Sequence, residues 1–439
     1  MRVALAVFLL GCQGGSPAGP LPGVWTEEGM LAEADAYLTD PGFRRDAMLA
    51  SLRNHDNLYS RQRISSYGLD TRGWDALPEW TPRSVEIDRE LADAIGEGRI
   101  GLPEGTEPLW DGVRPETMDE WVALGREVFF RYPLRADPYV AFGVANPEIG
   151  EAFGLIRDAS GRVPGAVIFR DVDGEETVGI TCALCHAAER DDEFAIGAAR
   201  RDLDYGALRI AFHDETGVPV DPELRRRMGT WGPGRADITE DDGEDPVAIP
   251  DLYGLRHQST LTQAGTIVHD RPAALALRQE TQYLHANHQR ARPPRELSWA
   301  VAMYLYSLSP GAAPAPSDPE AAARGETIFE RECTTCHHNR VGGGNAISAE
   351  VVGTDPALAI GEARGTGLYR PPALLRVQDA APYFHNGAVP DLEDLFSPER
   401  LEADYDRSPV GSGPVVGHRY GIDLSDDDTR DLIMYLRSR

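Results

Sequence analysis

Lysine is absent from this 439-residue chain: all 43 basic residues are arginine, set against 71 acidic ones, for a net charge of −28. That balance excludes a basic patch able to track a nucleic-acid backbone. It leaves an acidic surface suited to attracting basic protein partners over long range. Long apolar runs are also missing. After the first dozen residues no stretch approaches the roughly 18 that a membrane-crossing helix requires. Cysteine is scarce at five, and each one falls in a recognisable stretch. At 41% hydrophobic residues the chain can still bury proper cores, and its length suits two to three domains at about 150 residues each.

Four of the cysteines form two pairs, Cys182 and Cys185 in CALCH and Cys333 and Cys336 in CTTCH, each followed at once by a histidine, His186 and His337. This is the pattern of c-type haem attachment. Two thiols one turn apart reach the two vinyl groups on one porphyrin edge, and the adjacent imidazole rises beneath the iron as proximal ligand. A four-thiolate zinc site is the competing reading. Its pairs usually lie about 15–20 residues apart, whereas these are separated by roughly 150, and zinc explains no histidine at the same offset twice. A redox disulfide explains neither histidine nor duplication. Two covalent haem c groups follow.

The fifth cysteine ends MRVALAVFLLGC, which reads as a bacterial lipoprotein signal with Cys12 as the lipidated residue. Haem c is attached outside the cytoplasm, so an exported protein on the periplasmic side, anchored in the outer membrane through lipid, is expected. Residues 13–22 then form a tether. Residues 23–114 are an extension without assignable chemistry, 115–307 a first cytochrome c-type haem domain, 308–320 a Pro-rich linker and 321–439 a second such domain. The expected fold is mainly α, with two tandem haem domains.

Internal repetition supports that division. WAVAMYLYSL precedes the linker and RDLIMYLRSR closes the chain, both amphipathic and both containing Met-Tyr-Leu. Pro250, Leu252, Leu255 and Gly265 superpose without a gap on Pro372, Leu374, Val377 and Gly387. Two matches in the same order point to duplication.

The sixth iron ligands then decide function. For the second haem, the only methionine beyond CTTCH is Met434, inside the closing helix, and His338 is too near the proximal ligand to cross the ring. His418 is the preferred distal ligand and His385 the alternative. In the first half, the counterpart of His385 is Gln263, a hydrogen-bonding residue rather than an iron ligand, and His269, just past the repeat glycine, is the best-placed histidine. Trp231 is a candidate electron relay between the haems. Arg235, Arg370 and Arg376 are candidate partners of haem propionates. The acidic loop TEDDGEDP is a candidate calcium site, although such runs are commonly just solvated.

LGREVFF, the two CxxCH motifs and above all YRPPALLRVQDAAPYFHNGAVPDLEDLF resemble the di-haem cytochrome c peroxidase superfamily, which includes a methylamine-pathway di-haem oxidase and a rubber-cleaving di-haem oxygenase. The likeness spans roughly residues 118–439. It implies that the first haem is the reaction centre and the second the electron relay. Relay haems of the peroxidases carry a methionine past the YFHNG histidine, whereas AVPDLEDLFSPERL has none; the later GHRYG histidine is more like the oxygenase branch. The family's distal carboxylate finds its nearest match in Glu280. An exported di-haem peroxidase or oxidase is therefore expected, with peroxide or oxygen as substrate, an acid–base group such as His269 or Glu280, and a small electron-transfer protein, a cytochrome c or a cupredoxin, as partner. The alternatives are a non-catalytic di-haem electron carrier and a di-haem oxygenase.

Overall fold

The structure is a computed structural model that describes residues 23–439 apart from 69, 70, 72, 191, 192, 240 and 242. Cys12, the signal and the tether lie outside the described residues, as do two positions of the acidic loop.

Helices dominate, and two pairs of them cross in the same way. The helix Met118–Arg131 begins at a capping box in which Thr117 and Glu120 satisfy each other's backbone amides, as Ser/Thr and Glu three residues apart commonly do. It lays Trp121, Val128 and Phe129 inward. It crosses the helix Arg295–Ser307 at Gly125, where an added Cβ would run into the Ala300 carbonyl and lie 2.7 Å from the Tyr304 Cβ. The helix Pro319–Glu332, capped by Asp318, crosses the closing helix Asp426–Arg437 at Gly325. There a Cβ would run into the Asp431 carbonyl and lie 2.8 Å from the Tyr435 Cβ. Glycine permits both backbones to approach closely, and in each pair a tyrosine of the Met-Tyr-Leu segment covers it. Met303 is buried at 1% exposure in the first core; Met434 is only half-buried and receives the Ser317 hydroxyl at its sulfur.

The two repeat segments bond to each other reciprocally. Ala248 N–H donates to the His385 carbonyl at 2.8 Å, and Arg370 N–H donates to the Gln263 carbonyl at 3.0 Å. Under the repeat alignment these are the same bond made twice with the halves exchanged.

Residues 23–114 are not a separate body. Their strand Arg83–Glu86 forms one edge of a four-stranded antiparallel sheet, pairing Arg83 with Arg170 of the strand Ala166–Arg170. That strand pairs in turn with Glu176–Ile180, which leads into the first CxxCH. Further upstream Arg53 N–H donates to Thr266 O at 3.1 Å, while Leu58 and Tyr59 donate to Glu362 and Ala363. One segment of the extension therefore holds residues from both sides of the linker. Among the described residues no helix is long and apolar enough to cross a membrane.

Candidate functional site

The first motif is one helical turn, Ala183–His186, emerging from the sheet and feeding the hairpin Ala187–Arg190 and Glu193–Ile196. Gly165, at φ +82°, lies against the Leu184 backbone so closely that any side chain there would clash. Burial pushes the Cys182 and Cys185 thiols up to about 11, with Arg278 opposing at Cys182 and Arg200 at Cys185. Burial thus holds the free sulfurs in the neutral thiol form rather than as reactive thiolates. Burial lowers His186 to about 4; Arg278 and Arg201 lower it further and the Pro250 carbonyl opposes them. A neutral imidazole is the form that ligates iron.

In the second motif the helix Pro319–Glu332 ends on Cys333, whose thiol burial pushes up to about 12. His337 Nδ1 donates to the Gly342 carbonyl at 2.6 Å, which orients the ring and leaves the Nε2 lone pair for a metal. Burial again lowers its pKa. Burial takes His418 to about 4, and His337 and then Arg400 lower it further. Its Nδ1 is buried without a partner. Cys182, Cys185, His186, His337 and His418 are all deeply enclosed, yet each retains accessible surface.

His385 sits elsewhere. Its ring stacks on Tyr369 with centroids 4.3 Å apart, and Nε2 lies 3.2 Å from the Tyr369 hydroxyl. Its carbonyl makes the bond to Ala248 described above. Gln263 lies at the same junction and donates from Nε2 to the Ala248 carbonyl at 3.4 Å.

His269 has both ring nitrogens occupied. Nδ1 is 2.7 Å from the Gln258 carbonyl and Nε2 is 2.6 Å from the Tyr306 hydroxyl. Trp25 of the extension packs edge-on against it at 5.0 Å. In this arrangement it offers no free lone pair. Glu280 is fully buried, accepts the Tyr37 hydroxyl at 2.7 Å and pairs with Arg295 Nε at 3.3 Å. Arg295 in turn pairs with Asp75 of the extension. His269 and Glu280, both expected near the reacting centre, are thus tied to the extension, which the sequence left without a role.

The arginines divide by partner. Arg376 is spent on Asp379 at 2.7 Å and on the Ala312 carbonyl. Arg370 is enclosed, reaches only the Thr262 carbonyl at 3.3 Å, and burial lowers it to about 10. Arg235, 7% exposed, makes only two long contacts, to the carbonyls of Thr230 and Asn386. Buried guanidinium groups without a bonded carboxylate are costly, and the propionates of a bound haem would supply such anions. Arg278, beside Cys182 and His186, was not legible in the sequence as a site residue. It stands in a helix whose spacing matches any buried helix. Trp231 stacks on Tyr205 with centroids 6.2 Å apart and lies under Arg209, which is ordinary core packing. In the acidic loop Asp237, Asp241 and Asp245 converge on the Thr239 hydroxyl. No group of three or more His, Cys, Asp or Glu arranged to hold a metal ion occurs among the described residues.

A family model for RoxA-like, cytochrome c-like domains matches residues 367–405. Comparison with curated protein sequences gives no match. Among solved structures, a MauG-like protein associated with microbial copper homeostasis is similar at 18% identity and a TM-score of 0.32, over 47% of this chain and 77% of its own. Hydrazine synthase of Kuenenia stuttgartiensis is similar at 15% identity and a TM-score of 0.32, over 78% of this chain and 99% of its own. The matched residues carry His385 and the reciprocal bond at Arg370, and the chain contains a cytochrome c-like domain.

Proposed function

We propose that this chain is an exported di-haem c-type cytochrome and a redox enzyme, in which the haem on Cys182, Cys185 and His186 reacts with peroxide or oxygen and the haem on Cys333, Cys336 and His337 relays electrons to it. The observation that carries this reading is an asymmetry between the two proximal histidines. Arginine lies beside both, Arg278 and Arg201 at His186 and Arg439 at His337, but an enclosed histidine from a distant loop, His418, comes within electrostatic reach of His337. Haem c supplies one-electron chemistry when bound, and reaction with peroxide or oxygen where the iron has an open position.

The chain's own residues then have distinct tasks. His186 and His337 would hold the iron of the first and second haem, and His418 would be a further ligand to the iron of the second. His385 is instead engaged with Tyr369. Arg278 and Arg201 set positive charge around the first site. That favours anionic propionates and anionic oxygen species over cations. Gln263 is the hydrogen-bonding residue at the junction between the two repeat segments. Glu280 is the acid–base candidate of the first half, held by Tyr37 and Arg295. His269 is better read as a buried strut between Gln258 and Tyr306. Attachment through lipidated Cys12 at the outer membrane, and a small basic cytochrome c or cupredoxin as partner, belong to the same proposal. The acidic net charge supports the partner's sign.

An electronic spectrum of the purified ferric and half-reduced protein tests this reading. A high-spin component that shifts with cyanide supports an open first haem. Two purely low-spin haems insensitive to cyanide support the carrier reading instead.

A further inference from the structure

His418 lies on an irregular loop and adopts φ +44°, a left-handed conformation that a β-carbon disfavours. Such a conformation persists only where the surroundings over-determine it. Gly417 before it, at φ +93°, sits against Thr354 with no room for a side chain. His418 N–H donates to the Val352 carbonyl at 2.7 Å. These contacts fix one side of the loop.

The other side is held by a single residue. Arg400 is completely buried and directs its guanidinium at four backbone carbonyls. Nε reaches Leu395 at 3.1 Å, Nη1 reaches Val415 at 2.6 Å, and Nη2 reaches Gly417 at 2.9 Å and His418 at 3.0 Å. Three of the four acceptors belong to the His418 loop. Arg400 also lies 5.5 Å from the Phe384 ring centroid, and that ring is 6.2 Å from the His418 ring. No carboxylate pairs with Arg400 among the described residues, and four of its five N–H donors are already used. It is therefore unsuited to hold a propionate, in contrast to Arg370 and Arg235.

We propose that Arg400 is a positioning residue that sets His418 beside His337 by clamping the 415–418 backbone. The planar fork of five N–H donors spans several carbonyls at fixed angles, which a flexible ammonium does not reproduce. The inference rests on the reading of His418 as distal ligand of the second haem.

The test uses full-length, exported holoprotein. Arg400→Gln and Arg400→Lys are compared with wild type and with His418→Ala by haemochrome content, by the low-spin electron paramagnetic resonance signal of the second haem, and by titration with free imidazole. The expected result is that Arg400→Gln keeps two haems, loses most of that low-spin signal and regains it with imidazole. Arg400→Lys should lie between it and wild type. If Arg400→Gln keeps the wild-type signal and ignores imidazole while His418→Ala loses the signal, Arg400 does not position the ligand. If His418→Ala keeps the signal, the ligand reading itself falls and this inference with it. Should Arg400→Gln fail to accumulate, Arg400→Lys is judged by the same criteria: an unchanged signal and no response to imidazole overturn the inference.

Discussion

The Arg370 amide donates to the Gln263 carbonyl at 3.0 Å, and the repeat equivalents, Ala248 and His385, make the same bond in reverse at 2.8 Å. The loops in question follow the two CxxCH motifs, so the fold couples one motif's surroundings to the other's through paired main-chain bonds. An interaction of this kind positions groups without depending on side-chain identity. That is consistent with Gln263 and His385 differing while their carbonyls do the same work.

Haem content gives the first prediction. Replacing Cys333 and Cys336 with alanine should halve the pyridine haemochrome yield per chain and leave the spectrum of the first haem in place. An unchanged yield would mean that the second motif carries no haem.

Ligation gives the second. His418→Ala should convert the second haem to high spin, whereas His385→Ala should leave it low-spin and shift its spectrum slightly, since His385 is engaged with Tyr369. The opposite pair of results would reverse the assignment. In wild type, cyanide should bind the first haem before the second.

The helix crossings give the third. Gly125→Ala and Gly325→Ala each place a methyl against a backbone carbonyl and a tyrosine Cβ, and overpacking of this kind costs about 1–3 kcal/mol. Both variants should unfold at lower temperature in differential scanning calorimetry. A substitution without effect would show that the helices part more easily than their close approach suggests.

Acid sensitivity gives the fourth. Burial lowers His269 from 6.5 to about 4, with the Gln258 carbonyl opposing. Between those values the unfolded chain binds a proton that the folded chain refuses. Stability should therefore be complete above about pH 6.5 and fall as pH drops toward 4, by about 3 kcal/mol for this residue. His385, also lowered to about 4 by burial, acts in the same direction. Urea midpoints measured across this range should rise with pH, and His269→Gln should flatten the slope.

Glu280 gives the fifth, because its contacts allow two roles. Removing one member of a buried pair typically costs about 3–5 kcal/mol; Glu280→Gln keeps the shape and part of the hydrogen bonding, so a smaller loss is expected. If Glu280 is only a structural partner of Tyr37 and Arg295, thermal stability should drop while peroxide turnover per folded molecule holds. A fall in turnover exceeding the loss of folded protein would mark it as the acid–base group.

What the sequence determined by itself is what repeats or is local. The CxxCH triplets state their chemistry in five residues. The apolar face around Trp121 and Val128 marks a helix by spacing alone, because helix geometry converts sequence distance directly into a shared face. The duplicated Met-Tyr-Leu segments announced the two crossings. Only the tertiary structure seated His385 on Tyr369, occupied both nitrogens of His269 and tied Glu280 to Tyr37, 243 positions away. It also joined the extension to both sides of the linker and aimed Arg400 at the His418 loop. These contacts join segments with no fixed sequence offset, and a buried arginine or tyrosine carries no local mark of the partner it will meet. Periodicity determines which faces are covered; which side chains meet beneath them is decided when the chain closes.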